Sequence, residues 1–456
     1  MEAFMNIIIV GCGKVGETLA VELNGEGHDI TIVDENAAKV KHIATKYDIM
    51  GVIGNGATRD TQKEAGVDSA DLLIAVTGSD ELNLLCCLMA KKAGDCQTIA
   101  RIKSPEYAKD IPYLRDELGL AMVINPEYTA AQEITRILKF PSAIKVETFS
   151  KGRVELLKFR LPEKSSLVGL SLRDAMIKLK CNVLVCTVER GNEAYIPKGD
   201  FVFAERDVIS IIASAKSATE FFNKIDYKTQ PPRSVAIIGG GNMTHYLCEM
   251  LERSGIGSKV IEKSAELCED LAESFESVTV INGDPTDEDV LREERVAESD
   301  GFIALTPLDE ENILLSLFAK NAGSKKVITK INRIDYTGVI NKLDLDSIIY
   351  PKNLTSDMIV RYVRARQNTL GSSMETLYNL IRGEVEVAEF IVGKNSPIAG
   401  KPISELKFKE NVLIGAILRG RQLIIPRGQA VIEPNDSVII VTKLLSLHDI
   451  SDILVK

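Results

Sequence analysis

The chain reads as α/β: doubly wound parallel sheets, each followed by a smaller α+β unit. Three observations give that class. Short apolar runs rich in β-branched residues alternate with segments of helical spacing, glycine-rich turns sit at strand-to-helix junctions, and the second half of the chain repeats the first. Asn6–Val10 is a continuous apolar run, as a strand buried on both faces requires, and residues 14–23 then carry apolar side chains at helical intervals. Strands are expected next at 29–33, Met50–Ile53 and 72–76, with a helix over Ala37–Tyr47 and a further strand-like run at 98–100. Strands joined by helices imply parallel pairing with right-handed crossovers.

At 456 residues the chain exceeds one domain of about 150 residues by a factor of about three. Its 45% apolar and 26% charged residues predict folding throughout. A net charge of −10 argues against nucleic acid as a partner. The longest apolar stretches, such as 84–90, fall far short of the roughly 20 residues that cross a bilayer. Residues 1–5 lack the basic flank of a secretory leader, so a cytoplasmic location is expected. Eight thinly spread cysteines, with Cys86 and Cys87 inside an apolar run, predict buried free thiols and neither a disulfide framework nor a zinc site.

The repeat lays residues 5–107 over 234–336. Gly11 and Gly13 match Gly239 and Gly241, Asp34 matches Glu262, and Thr58 is paired with Thr286. Thr77, Asp80, Glu81 and Asn83 match Thr306, Asp309, Glu310 and Asn312. The smaller units repeat too, with Gly169 against Gly400, Ile196-Pro197 against Ile425-Pro426 and Asp207 against Asp436. Four domains are therefore expected, at 1–141, 142–228, 229–368 and 369–456, and Pro231-Pro232 favours an extended linker at 226–233. Helical runs at 127–139 and 351–366 are either ordinary final helices or crossover or dimer-forming helices linking each large unit to its small one. The small units read as short strands, such as 183–188 and 438–441, with turns and one helix.

Gly11-Cys12-Gly13-Lys14-Val15-Gly16 places G-x-G-x-x-G between a strand and a helix, the setting of a Rossmann-like dinucleotide site. Gly11 permits the turn, Gly13 leaves room for a pyrophosphate, Gly16 lets the helix pack closely, and the helix N-terminus offers N–H groups to the anion. Asp34, 18 residues after Gly16, can accept from both ribose hydroxyls and disfavours a 2′-phosphate, hence NAD over NADP, without separating NAD from ATP or ADP. Residues 11–18 approach a Walker A loop, but Glu17 stands where lysine is needed. Asn55, Ala57 and Thr58 follow the third strand and are candidates to wrap the adenine, while Arg101 is a candidate phosphate contact; a turn and a solvated cation are the alternatives. Thr77 and Asp80 are candidate ligand contacts, and helix capping by either explains the sequence almost as well. In the second copy Gly239, Gly241, Glu262 and Asp284 are kept, whereas Thr244 replaces the third glycine, so this copy is either a second site or a structural remnant.

Catalysis by a dehydrogenase needs an acid or base poised near the nicotinamide. His28, His42, His245 and His448 form no such constellation and read as surface or helix histidines. Binding without catalysis is the expectation.

Taken together, the segment Val10 to Gly16, Asp34, the run Gly54-Asn55-Gly56-Ala57-Thr58, the pattern Asp80-Glu81-x-Asn83 and the tandem order strongly resemble the TrkA family of tandem RCK (KTN) regulators of Trk potassium uptake, over essentially the whole chain. The resemblance implies Rossmann-like N-lobes and α+β C-lobes, no enzymatic activity, and NAD(H), with ATP or ADP at the same site. It also implies a homo-oligomeric ring, a dimer of dimers, peripheral on the inner face of the plasma membrane beneath a TrkH-type potassium channel subunit. Carried over by motif, the nucleotide contacts are Gly11, Gly13, Gly16, Asp34, Thr58, Asp80 and Arg101, with Glu262 and Asp284 in the second copy. Lys14, Val15, Asn55, Ala57, Thr77, Gly239 and Gly241 complete the candidate set. An NAD-dependent oxidoreductase and a nucleotide-sensing regulator of a different transporter are the rival readings.

Overall fold

The computed structural model describes residues 4–455 except 151, 163, 192, 226, 228, 229, 333–336, 341, 342, 344, 368–372, 381–383, 445, 446 and 448. His448 and part of the 226–233 linker thus lie outside the described residues.

The first large unit runs β1 (Asn6–Val10), α1 (Lys14–Gly25), β2 (Asp29–Asp34), α2 (Ala37–Tyr47), β3 (Met50–Ile53), α3 (Arg59–Glu64), β4 (Leu72–Ala75), α4 (Asp80–Ala93), β5 (Gln97–Arg101), α5 (Pro105–Ala108), α6 (Ile111–Glu117) and β6 (Met122–Ile124). All six strands are parallel in the order β3-β2-β1-β4-β5-β6, the doubly wound arrangement expected from the alternation. The helix α7 (Pro126–Lys139) follows. Strand β1 is buried from Ile7 to Val10 because helices cover both sheet faces, which is why its sequence shows no polar alternation.

The first small unit comprises β7 (Lys145–Phe149), β8 (Val154–Arg160), α8 (Leu172–Leu179), β9 (Val183–Arg190), β10 (Glu193–Tyr195), β11 (Val208–Ala213) and α9 (Ala215–Lys224), with an antiparallel sheet ordered β10-β9-β11-β8-β7. The second large unit repeats the first as β12 (Ser234–Ile238), α10 (Asn242–Arg253), β13 (Gly257–Glu262), α11 (Ala265–Ser274), β14 (Val278–Asn282), α12 (Glu288–Glu293), β15 (Gly301–Ala304), α13 (Asp309–Asn321), β16 (Val327–Lys330), α14 (Thr337–Ile340) and β17 (Ser347–Ile349), in the order β14-β13-β12-β15-β16-β17. After α15 (Pro351–Gln367) come β18 (Ser373–Leu380), β19 (Val385–Ile391), β20 (Val412–Arg419), β21 (Gln422–Ile424) and β22 (Ser437–Thr442), ordered β18-β19-β22-β20-β21.

The expectation of one helix in each small unit is corrected. The first has two, α8 and α9, whereas the second has only short 3₁₀ turns among the described residues. Ser171 caps α8 by accepting from the Asp174 N–H. Pro402 occupies the matching place, each residue bridging to the strand segment opposite it, at Val202 and Val431. Proline has no side-chain acceptor to satisfy the first turn, and only the 3₁₀ turn Ile403–Glu405 forms there.

Contacts gather like with like. One compact body contains residues 1–132, 234–344 and 349–360, and the other contains 133–233, 345–348 and 361–456. In the first body, α10 of the second repeat docks on the first repeat through Tyr246. Its hydroxyl takes a hydrogen bond from Asn125 Nδ2 at 2.9 Å and donates to the Lys103 carbonyl at 3.3 Å. In the second body the two antiparallel sheets share one core, built from Phe149, Leu156 and Ile212 on one side and Val387, Ala416 and Ile439 on the other. Glu389, 2% exposed, ties the two sheets together: it accepts from the Ser150 N–H at 3.1 Å, Thr376 Oγ1 at 3.0 Å, Ser437 Oγ at 2.5 Å and the Ser150 hydroxyl. All eight cysteines are free, and all except Cys181 are buried.

Removing the Glu389 acceptor strands several buried donors at once. Glu389→Ala should destabilise the fold by at least about 2 kcal/mol, seen as a lower denaturant midpoint, whereas Glu389→Gln, which keeps one acceptor oxygen, should lose less.

Candidate functional site

Three glycines do three separable jobs at the end of β1. Gly11 has φ +109°, and a Cβ there would meet the Val76 and Thr77 backbone at 3.0 Å. At Gly16 a Cβ would lie 1.9 Å from the Gly11 carbonyl oxygen, so only hydrogen allows α1 to approach β1 this closely. A Cβ at Gly13 would meet nothing within 4 Å. That glycine is not demanded by the protein's own packing, and it leaves open the space directly before the first turn of α1.

Asp34, at the end of β2, is clamped by the same loop. Its Oδ2 accepts from the Cys12 N–H at 2.7 Å and its Oδ1 from the Asn36 N–H at 2.8 Å, which fixes the carboxylate beside the glycine turn while leaving lone pairs for hydroxyl donors. Cys12 is buried next to Asp34, and desolvation, reinforced by that carboxylate, pushes its thiol up to about 12, so it is a packed group rather than a nucleophile.

A cavity of about 570 Å³ opens at these strand ends. It is lined by Gly11, Gly13, Lys14, Val15, Asp34, Asn55, Thr77 and Arg101, all foreseen from sequence. Of the remaining candidates, Gly16 lies buried beneath the turn, and Ala57 packs against the sheet core. Thr58 is exposed and spends its hydroxyl on the Asn55 carbonyl and Thr61. Asp80 is 4% exposed and accepts from the Lys103 and Ser104 N–H groups at 3.0 and 2.9 Å, so it braces the loop after β5 and does not line the cavity. Neither Thr77 nor Asp80 caps α4; Ser79 does, accepting from the Leu82 N–H. His28 is a second correction: it is 2% exposed, and its Nδ1 accepts from the Met5 N–H, because it closes the end of the sheet next to β1.

The sequence reading missed Glu35, Lys39, Glu127, Asn332, Pro351 and Lys352 in the lining. The last three belong to the second repeat, and only the three-dimensional pairing of the repeats reveals them. Two side chains of the lining carry a buried polar atom that lacks a partner among the described residues. Arg101 donates from an Nη to the Thr77 carbonyl at 2.5 Å, yet its Nε is buried without an acceptor, and Glu127 Oε2 is buried without a donor. Burial pushes the Glu127 carboxyl above its usual range despite nearby Arg101 and Lys103. Room at Gly13, a fixed acceptor at Asp34, the α1 N-terminus and these orphaned groups together fit a bound adenine nucleotide.

The second loop keeps the same frame. Gly239 has φ +99°, a Cβ at Gly241 would meet nothing within 4 Å, and Glu262 accepts from the Gly240 and Ser264 N–H groups, each at 2.7 Å. Thr244, at the place of Gly16, donates its hydroxyl to the Gly239 carbonyl at 2.5 Å. Asp284 is exposed and accepts from the Thr286 N–H and hydroxyl, which hold its carboxyl below the usual range. The pairing of Thr58 with Thr286 is corrected. Thr58 and Asp287 occupy the equivalent N-cap positions of α3 and α12, while Thr286 matches Ala57, each donating its N–H to the side chain two residues earlier. Lys330, at the place of Arg101, donates to the Leu305 carbonyl at 2.7 Å, and burial lowers its ammonium to about 8.

Models of known families match along the chain, a TrkA-N domain at 7–126 and 235–351 and a TrkA-C domain at 156–226 and 387–455. The Trk system potassium uptake protein TrkA homolog of Archaeoglobus fulgidus is 34% identical over 98% of this chain and 100% of its own length. The chain belongs to the TrkA family. The Haemophilus influenzae Trk system potassium uptake protein TrkA is 32% identical over 96% of this chain and 95% of its own. Among solved structures the GsuK RCK domain superposes with a TM-score of 0.63 at 17% identity, covering 96% of this chain and 92% of that one, and shows the same fold.

Two measurements separate the parts of this TrkA-family loop. Gly13→Val should leave the thermal midpoint nearly unchanged while abolishing nucleotide binding by calorimetry, whereas Gly16→Ala should cost about 1–3 kcal/mol of stability through overpacking. For Lys330, burial disfavours the charged form, so between about 8 and the ordinary 10.5 the unfolded chain holds more protons than the folded one. The residue's destabilising effect is complete below that window, and stability therefore rises with pH across it. NMR of side-chain-labelled lysine should find one ammonium, removed by Lys330→Met, titrating near 8.

Proposed function

We propose that the first cleft binds NAD(H), with ATP or ADP competing for the same place, and that this TrkA-family chain is a nucleotide-sensing regulatory subunit of a Trk-type potassium uptake system. The observation that carries the reading is the open space at Gly13 before α1, flanked by an Asp34 carboxylate whose position the loop itself fixes. The α1 N-terminus would hold the diphosphate, Asp34 the ribose hydroxyls, and Gly54, Asn55 and Gly56 would flank the adenine, with Arg101 and Glu127 at the far end. GsuK structures described as bound to NAD and to ADP share this fold, with TM-scores of 0.63 and 0.51. Which nucleotide this chain prefers belongs to the proposal.

The bound nucleotide supplies charge and shape, not a reaction. The role assigned is regulatory. Regulation requires that the ligand bind two conformations unequally; moving a population from 1:99 to 99:1 takes about 5.5 kcal/mol of differential binding, which a homo-oligomeric ring, here a dimer of dimers, divides among its sites. Among the described residues no helix is long and apolar enough to cross a membrane. In this reading the chain sits on the cytoplasmic face, on a TrkH-type potassium channel subunit that forms the pore, and its net charge of −10 fits a protein partner better than nucleic acid.

Calorimetric titration with NAD, NADH, ADP and ATP, followed by potassium flux through the reconstituted channel subunit, tests this. At least one nucleotide should bind and change the flux, and Gly13→Val should lose both effects. Absence of binding overturns the sensor, and multiple turnovers of NADH with a carbonyl substrate would make the chain an oxidoreductase instead.

A further inference from the structure

Resting on the nucleotide reading of the first cleft, we propose that Lys352, contributed by the second repeat, is the residue that binds the terminal phosphate of an adenosine di- or triphosphate held by the first repeat. Helices α7 and α15 are repeat equivalents, opening Pro126-Glu127 and Pro351-Lys352. All four residues line the one cavity. Two equivalent positions thus face the same ligand space, one bearing a carboxyl and the other an ammonium.

The charge around the cavity gives that divergence a consequence. Asp34 fixes the ribose end, and the start of α1 fixes the first phosphates. A phosphate chain extending past α1 enters a region containing Arg101, Glu127 and Lys352. Arg101 already spends one nitrogen on the Thr77 carbonyl. Glu127, whose Oε2 is buried without a donor among the described residues, opposes another anion there and suits a hydroxyl instead, as on the second ribose of a dinucleotide. Arg101 and Lys103 offset Glu127 in part, and Lys352 adds a further cation to the same lining. Its compact ammonium on a flexible stem suits a phosphate oxygen, and it stands in the first turn of a 17-residue helix whose N-terminal dipole adds to the attraction. Contact with Lys352 also spans the two repeats, so a terminal phosphate links them where AMP would not.

The test is calorimetry of the full chain with AMP, ADP, ATP and NAD, comparing wild type with Lys352→Gln, Lys352→Glu and Lys352→Arg. ATP affinity should fall about tenfold in the Gln variant and further in the Glu variant, recover in the Arg variant, and AMP and NAD affinities should change less than about twofold. Retained AMP binding shows that each variant is folded. Unchanged ATP affinity in Lys352→Glu overturns the assignment, as does an equal loss for all four ligands, which marks a structural role. Failure of the wild type to bind any of the four defeats the underlying nucleotide reading instead.

Discussion

The approach of α1 to β1 at Gly16 governs the first cleft. With a methyl there only 1.9 Å from the Gly11 carbonyl, any other residue would push the helix off the strand. The close packing brings the bare N–H groups of the first turn to the mouth of the cavity, and the loop that results presents the Cys12 N–H to Asp34. One steric limit thereby sets both the anion-binding end and the ribose-facing carboxylate.

The second repeat shows how the same frame tolerates a side chain. Thr244 stands where the first repeat has Gly16, and its hydroxyl donates to the Gly239 carbonyl. Elsewhere the two halves differ in charge rather than shape: Arg101 against Lys330, Lys103 against Asn332, Glu127 against Lys352. A fold built twice in one chain can let the copies drift apart at chosen positions, which two identical subunits cannot do.

Much of this was legible in the sequence because burial on both sheet faces writes continuous apolar runs. Strand β1, helix α2 and strand β3 begin and end where the pattern placed them, and α1 runs two residues past its predicted end. The glycine loop and Asp34 were readable because each residue answers a local requirement. The bracing role of Asp80 was not readable because its partners, the Lys103 and Ser104 N–H groups, are distant in sequence. Matching Thr58 to Thr286 by residue type failed because the conserved role is the cap position, which Asp287 fills. Lys352 left no signal at all, since nothing in a linear pattern says that α15 opens onto the cavity of the other repeat.

The wall that the second repeat lends to the first cleft belongs to the same polypeptide. Were that wall a separate molecule, ligand affinity would collapse on dilution below the dissociation constant of the pair. Tethered, it is present at a fixed effective concentration, and its contribution to the cleft does not depend on how much protein the cell contains.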